Sequence, residues 1–466
     1  MLLIATAVAA EVQVVHEAPF ELRHVVLDNG LEVFLQPRAD STSVLGLVVV
    51  RGGGRFESPE TSGASHLLEH MLFTKTELWD ERGVRNWVED LGGSYNGYTY
   101  AESVRYHAWL GADHLPELLL WLEQVVFHPE LLPAELDKER EVVFEERGGR
   151  DGWWMTQVHD AGVGRSLREA ASEAYWPDTM LPVPHIGEDS SLDGMSLPDL
   201  EGFYGRHYRP DNAALVLVGR LEVESTLARI EQGFGLLDNP EGSAPTAPSA
   251  PSAAGAPTED VIWQPAVYDQ FEVAITAPTV GSSHPDHRVT ELAASYLEDL
   301  LFERMRTDRA LVYGVSAWNE DWLDAGFLCI RTELDHEKVD EALELMHIAL
   351  DELSSGELEP ERLARVRAQH IGHAERSLEE GPVRASRIAG FWLTPVPARE
   401  LRPRQLWRAS EADILRVAAA WTAGSRTTWV SRPPVTVGQA WAVALTLILV
   451  GSIGALLAMR RRRRAG

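Results

Sequence analysis

The stretch "SHLLEHMLF", residues 65–73, places two histidines and a glutamate within five positions of an otherwise acidic chain. On a helix, His66 and His70 lie one turn apart on the same face, so both imidazoles can reach one ion. Glu69 lies beside them, close enough to contact a water molecule held by that ion. Two histidine nitrogens, one carboxylate oxygen and a water are typical ligands of a catalytic zinc. The alternative is an exposed helical turn that happens to carry two histidines.

A zinc site of this kind needs a third protein ligand. The order His-x-x-Glu-His inverts the commoner zinc-protease motif, and its glutamate suits a general base. The one cysteine, Cys329, lies in the strand-like "GFLCIRTEL" and is predicted to be buried and inert, so the ligands must be histidines and carboxylates. Spacing alone does not choose among the glutamates of one predicted helix or three isolated histidines: Glu139, Glu141, Glu145, Glu146, His107, His114 and His128.

Length and charge limit the class of protein. A chain of 466 residues favours two or three domains, and 45% hydrophobic with 24% charged residues is typical of well-packed globular proteins. The net charge is −29; without residues 460–464 the body holds 37 basic against 71 acidic residues, a balance of −34. Such a body repels phosphate backbones, so a nucleic-acid function is excluded.

Both ends of the chain are apolar. Residues 1–18 begin with "MLLIATAVAAEVQ", which is consistent with a signal peptide although it lacks a basic start; a buried first strand is the alternative. Residues 438–459 contain about 20 uncharged positions, enough to cross a bilayer, and the arginine-rich tail 460–466 favours a cytoplasmic C-terminus. The tail also resembles bacterial sorting tails, which can be removed after export. These features predict a single-pass protein of the bacterial cell membrane with a periplasmic or extracellular body.

The body divides at a Pro-, Ala- and Ser-rich stretch. Residues 239–260 cannot bury a core and are predicted to be a flexible linker. Before it, residues 19–238 combine alternating strands with amphipathic helices, and after it residues 261–432 repeat that order loosely. The predicted fold class is α+β, with two homologous units, each an antiparallel sheet flanked by helices, followed by the transmembrane helix.

Five motifs, spread in order over about residues 20–430, carry a family resemblance. They are "GGGRFESPETSGASHLLEHMLF", "LGGSYNGYTYAESVRY", "LDKEREVVFEER", "FYGRHYRPDNAALVLVG" and "LFERMRTDRALVYGVSA". Together they resemble the pitrilysin and mitochondrial-processing-peptidase family of zinc peptidases. Three features depart from the family: Gly97 stands where alanine is commoner, Arg147-Gly148-Gly149 ends the glutamate helix early, and most members lack the apolar tail.

The resemblance implies a role for each matching residue. It implies one Zn²⁺ per chain, bound by His66, His70 and Glu146. Glu69 is then the general base and Glu139 orients a histidine. Asn96 is expected to hold the substrate backbone. Arg306 and Tyr313 of the second unit are expected to grip the substrate or the developing oxyanion.

The function implied is a zinc endopeptidase that cuts peptides or unfolded polypeptide segments. The alternative is a non-catalytic scaffold or partner subunit, as some relatives are, although those relatives lose zinc or base residues that this chain keeps. A metal-binding sensor is a third hypothesis. Relatives enclose peptides in a chamber of four α+β units and this chain supplies two, which predicts a homodimer, or a heterodimer with an inactive paralogue.

Overall fold

The structure is a computed structural model. It describes residues 13–16, 21–150, 166–253, 259–263, 270–356, 358–394, 401–424 and 426–432. The described residues form two sheets with helices on both sides. Their arrangement confirms a mixed α/β protein of two units.

The first sheet has seven strands in the order β1-β2-β3-β7-β4-β6-β5. They are β1 (Gln13–His16), β2 (Leu22–Val26), β3 (Glu32–Pro37), β4 (Ser43–Arg51), β5 (Ser94–Thr99), β6 (Ser103–Gly111) and β7 (Ala213–Gly219). The turn between β2 and β3 contains Gly30, whose φ of 88° favours glycine. Strand β5 ends the sheet order, so one of its edges has no partner strand among the described residues.

The second sheet has five strands in the order β10-β11-β9-β12-β8. They are β8 (Glu259–Trp263), β9 (Gln270–Thr279), β10 (Val315–Asp321), β11 (Gly326–Asp335) and β12 (Thr427–Arg432). Strand β12 is parallel to β8 and antiparallel to β9, and β9, β11 and β10 are antiparallel in turn. The first sheet pairs β3, β7, β4, β6 and β5 in the same senses, so the second unit repeats its topology.

Fourteen α-helices lie in the described part of the chain. In the first unit they are α1 (Ala64–Leu72), α2 (Glu81–Glu89), α3 (Leu115–Phe127), α4 (Pro133–Glu146), α5 (Leu167–Tyr175), α6 (Asp189–Gly194), α7 (Leu197–His207) and α8 (Val223–Gln232). In the second unit they are α9 (His287–Leu301), α10 (Val339–Ser355), α11 (Pro360–Ser377), α12 (Gly381–Leu393), α13 (Pro403–Leu406) and α14 (Glu411–Ala423). A π-helical turn, Phe302–Thr307, continues α9.

Strand β4 shows why its sequence is apolar without alternation. Val44, Val48 and Val50 face the main core of the first unit, which α1 and α3 cover. The intervening Leu45, Leu47 and Val49 pack against α12, which comes from the second half of the chain. Because both faces of the strand are covered, both must be apolar.

A helix of the first unit packs against the second sheet. Tyr175 at the end of α5, with the following Trp176, packs against Phe327 and Cys329 of β11. The Tyr175 hydroxyl is 2.7 Å from Thr276 Oγ1 on β9. Cys329 is buried, as predicted. Each half of the chain therefore covers one face of the other half's sheet.

The predicted membrane localisation is wrong for the part of the chain that the structure describes. Among those residues, no helix combines the length and the apolar composition needed to cross a bilayer. Their apolar faces are buried in the two cores instead. The predicted span 438–459 and tail 460–466 lie outside the described residues, as do residues 1–12. Gln13–His16, within the predicted signal segment 1–18, pairs with β2 as strand β1.

Candidate metal centre

Helix α1 begins at a buried carboxylate. Glu57 accepts hydrogen bonds from the backbone N–H groups of Gly63 (2.8 Å) and Ser65 (2.7 Å), and from the Ser65 hydroxyl. Burial raises the pKa of Glu57, and these hydrogen bonds partly offset the shift. Gly63 has a φ of 89°, which turns the chain into the helix. Glu57 thus fixes the start of α1, a role that the sequence analysis missed although an acidic side chain near a helix start suits the helix dipole.

The two histidines of α1 meet one glutamate of α4. His66 Nε2 lies 3.2 Å from Glu146 Oε2, and His70 Nε2 lies 3.6 Å from Glu146 Oε1. One ligand atom from each residue lies within 4.8 Å of the others. Two ligands of a tetrahedral zinc, each about 2.0–2.2 Å from the ion, are roughly 3.3–3.6 Å apart, and the two contacts of Glu146 are close to this spacing. The widest separation in the set, 4.8 Å, is about 1 Å longer, so the residue types and their placement fit Zn²⁺ once the side chains close on the ion.

Three of the other candidate ligands, Glu141, His128 and His107, have different partners. Glu141 forms an ion pair with Arg150 at 2.5 Å. His128 lies 3.6 Å from Glu77, and the His107 ring stacks on Tyr98 at 5.7 Å. The structure therefore brings Glu146, and not these residues, to the two histidines.

Glu139 lies on the same helix as Glu146 and contacts one of the two histidines. It lies two turns before Glu146, so both carboxylates project from one face of α4. Its Oε2 is 3.2 Å from His70 Nδ1, and its Oε1 is 3.3 Å from Lys138 Nζ. Burial opposes ionisation of Glu139, but His70 and Lys138 outweigh it and lower its pKa. The Nδ1 contact leaves His70 Nε2 directed towards Glu146.

Glu69 lies between α1 and strand β5. Its Oε2 accepts a hydrogen bond of 2.7 Å from the Thr99 hydroxyl and is 3.7 Å from His66 Nδ1. Burial opposes protonation of His66, but Glu69 and Glu146 together raise its pKa. A Cβ atom at Gly97 would collide with the Glu69 carboxylate. The departure from alanine at Gly97 therefore gives this carboxylate its room.

A cavity of about 490 Å³ joins these groups. Its walls include His66, His70, Glu69, Glu139, Glu146 and Asn96. Asn96 Oδ1 accepts a hydrogen bond of 3.0 Å from the Gly97 backbone N–H. The sequence-predicted site residues of the first unit are thus all brought to one cavity.

Arg306 and Tyr313 are not part of that cavity. Arg306 lies in the π-helical turn of the second unit, and its guanidinium is 5.3 Å from the centre of the Tyr313 ring. Tyr313 is 88% exposed. Within one chain, the predicted grip therefore lies apart from the metal centre.

The fold and this site define a class of protein. It is a two-unit α/β chain in which one helix carries two histidines and a glutamate and a second helix carries a carboxylate, the arrangement of a zinc peptidase with the inverted motif. Residues 33–169 match the family described as Insulinase (Peptidase family M16). Residues 194–370 match the family described as Peptidase M16 inactive domain. The chain belongs to peptidase family M16, and the predicted resemblance is confirmed.

Individual relatives support this family assignment. An uncharacterized zinc protease of Bacillus subtilis, YmxG, is 24% identical over 372 residues, 78% of this chain and 87% of that protein. A probable mitochondrial-processing peptidase beta subunit of Arabidopsis thaliana is 26% identical over 219 residues, 47% of this chain and 40% of its own. The crystal structure of a protease from Helicobacter pylori has the same fold, with a TM-score of 0.75 and 21% identity over 88% of this chain and 99% of that one. Zinc is the cofactor of the family, as predicted.

Proposed function

We propose that this chain is a zinc-dependent endopeptidase that hydrolyses peptides or unfolded polypeptide segments. The observation that carries the proposal is the convergence of His66, His70 and Glu146 within 4.8 Å. Glu69 and strand β5, one edge of which has no partner strand among the described residues, border the same cavity. A metal position, a general base and a strand edge for a peptide are the parts that peptide hydrolysis needs.

Each residue of the site would have a distinct role in hydrolysis. Zinc bound by His66, His70 and Glu146 would polarise a water molecule and the peptide carbonyl. Glu69 would take a proton from that water and deliver it to the leaving amine, while Thr99 holds its carboxylate in place. Glu139 would keep His70 in the tautomer that presents Nε2.

The edge of β5 would hold the substrate. An extended peptide can add to an unpaired strand edge through backbone hydrogen bonds, which favours unfolded segments over folded proteins. Asn96 lies on this strand and lines the cavity, so its side-chain amide can bond to the backbone of the added peptide.

The direct test is cleavage of a quenched peptide library together with zinc analysis. Wild-type protein is expected to hold about one zinc per chain and to cut internal peptide bonds. Glu69→Gln should keep its zinc and lose hydrolysis, because this residue moves protons and does not bind the metal. A zinc-loaded wild-type chain that cuts nothing would favour the non-catalytic partner subunit instead.

The separation of Arg306 and Tyr313 from the cavity supports a dimer. Both side chains are exposed on the second unit, where they can reach a second chain. A two-fold homodimer, the commonest closed assembly, would let each chain's Arg306 and Tyr313 reach the other's zinc. A heterodimer with an inactive paralogue is the runner-up.

Complementation tests this arrangement. A Glu69→Gln chain is mixed with a chain carrying Arg306→Ala and Tyr313→Phe, each nearly inactive alone. Mixed dimers should regain one working site in two, measured as peptide hydrolysis after subunit exchange. No recovery in dimers shown to be mixed would mean that the grip acts within a single chain.

A further inference from the structure

A second and larger cavity, of about 970 Å³, lies between the two units. Tyr98 on β5 lines both this cavity and the metal cavity, so the two adjoin at the strand that is proposed to hold the peptide. Its opposite walls come from the start of α9, from α12 and α13, and from the residues just after α13, and they include apolar residues such as Val289, Phe391 and Leu406. The cavity therefore lies beside the metal centre, next to the strand proposed to hold the peptide.

The charge of this cavity is opposite to that of the chain. Although the net charge is −29, four arginines line it: Arg105, Arg288, Arg387 and Arg408. Among the described lining residues the one carboxylate is Glu102. Glu102 is already engaged, because it accepts from the Leu323 backbone N–H (3.0 Å) and forms an ion pair with Arg55 (3.2 Å). The cavity has an excess of positive charge.

Three of these arginines, Arg105, Arg387 and Arg408, form no ion pair with a carboxylate among the described residues. Arg105, paired in register with Tyr98, donates to the hydroxyls of Ser386 (2.7 Å) and Ser103 (3.3 Å). The Nη1 atom of Arg387 is buried and has no hydrogen-bond acceptor. Burial, and then the nearby Arg288, lower the pKa of Arg387, and the Glu291 carboxylate offsets part of this shift without forming an ion pair with Arg387. Arg288 itself has a partner, Glu291, at 2.5 Å.

We propose that this cavity is a subsite for a carboxylate of the bound peptide, with Arg387 and Arg105 as its main ligands. A guanidinium matches a carboxylate with two parallel hydrogen bonds, and Arg105 and Arg387 both line the cavity without an ion-pair partner among the described residues. The carboxylate comes from the peptide C-terminus or from an acidic side chain. The subsite rests on the proposed peptidase function and adds to it a preference for peptides with negative charge away from the cut bond.

Peptide binding tests this inference without cleavage. Full-length Glu69→Gln protein is titrated into one fluorescent peptide made in four forms, with a free or amidated C-terminus and with Glu or Gln at an internal position. The peptide with carboxylates should bind about 10-fold more tightly than the form without them, since hydrogen bonds to charged groups contribute this much. Loss of affinity on amidation identifies the C-terminus as the source, and loss on Glu-to-Gln replacement identifies the side chain.

Variants assign the effect to the arginines. Adding Arg387→Gln should remove the difference between charged and neutral peptides, and Arg387→Lys should keep part of it. Arg408→Gln, at an exposed position on the same cavity, provides a second variant if Arg387→Gln folds poorly. Arg404→Gln is the control, because Arg404 pairs with Glu375 at 3.2 Å and does not line the cavity.

Three results would overturn the subsite: equal affinity for all four peptides, no binding of any, or an Arg387→Gln variant that weakens all four alike. None of these depends on hydrolysis, so the outcome is separate from the library test of the proposed peptidase activity.

Discussion

The two units place a pair of helices at equivalent positions, with opposite chemistry. In the first unit α1 follows β4, and α4 is the second helix after β6. In the second unit α9 follows β9, and α11 is the second helix after β11. Where α1 and α4 hold two histidines against Glu146, α9 and α11 hold an arginine–carboxylate cluster.

That cluster supplies its own cation. Arg362 of α11 is 4% exposed and pairs with Asp299 of α9 at 2.5 Å, with Glu303, and with Glu359 at 3.2 Å. Arg365 adds a second contact to Asp299 at 2.6 Å. Arg362 and Arg365 neutralise much of the carboxylate charge that would otherwise attract another cation.

The comparison shows what makes one helix pair suitable for zinc. Clustered carboxylates are common to both helix pairs, so a cluster of acidic residues does not by itself indicate a zinc site. At the first pair, the atoms that face each other are imidazole nitrogens and a carboxylate without a built-in cation between them. At the second pair, the guanidinium of Arg362 is the cation between the carboxylates, and it holds the two helices together.

The largest effect is expected from Glu146→Gln. It removes one of three proposed protein ligands, so zinc affinity should fall by more than the about 100-fold typical of a change outside the ligand set. Zinc content after dialysis and peptide hydrolysis measure the loss. Glu141→Gln, five residues earlier on the same helix, is the matched control and should keep its zinc. If Glu141→Gln loses zinc and Glu146→Gln retains it, the ligand assignment is wrong.

Arg362→Met should break the second helix pair without touching the first. It leaves Asp299, Glu303 and Glu359 without their shared cation. We expect a loss of about 2 kcal/mol in the free energy of unfolding, at the low end for a buried pair because Glu303 and Glu359 are more than half exposed. Urea denaturation measures it, and zinc content should stay unchanged.

Arg365→Met is the control for the second pair. Its side chain is 50% exposed, so its removal should cost less than about 1 kcal/mol. Equal losses in the Arg362 and Arg365 variants would mean that the buried arginine does not hold the helices together.

Apart from the control variants, the smallest effect is expected from Thr99→Val in the first unit. It removes the hydrogen bond of 2.7 Å that holds the Glu69 carboxylate. The turnover number should fall about 10-fold, because a hydrogen bond to a charged group contributes roughly 1.5 kcal/mol, while zinc content stays the same. Thr74→Val is matched, since Thr74 lines the cavity but donates to the Met71 carbonyl. A similar loss in both variants would remove the special role of Thr99.

Local sequence determined the parts of the site that lie on one element. Helical periodicity is enough to put His66 and His70 on one face, and Glu139 and Glu146 on one face of a second helix. The Pro- and Ala-rich stretch likewise indicated two units, which the repeated sheet topology supports. Such features can be predicted from the sequence because they depend on residues within one or two helical turns of each other.

Only the tertiary structure decided which distant residues meet. It brought Glu146 rather than Glu141 to the histidines, gave α1 its buried Glu57 cap, and exchanged α5 and α12 between the two sheets. It also gathered Arg105 and Arg387, 282 positions apart in the chain, around one cavity. These contacts join residues far apart in sequence, and no spacing rule records them because they follow from how the sheets and helices pack.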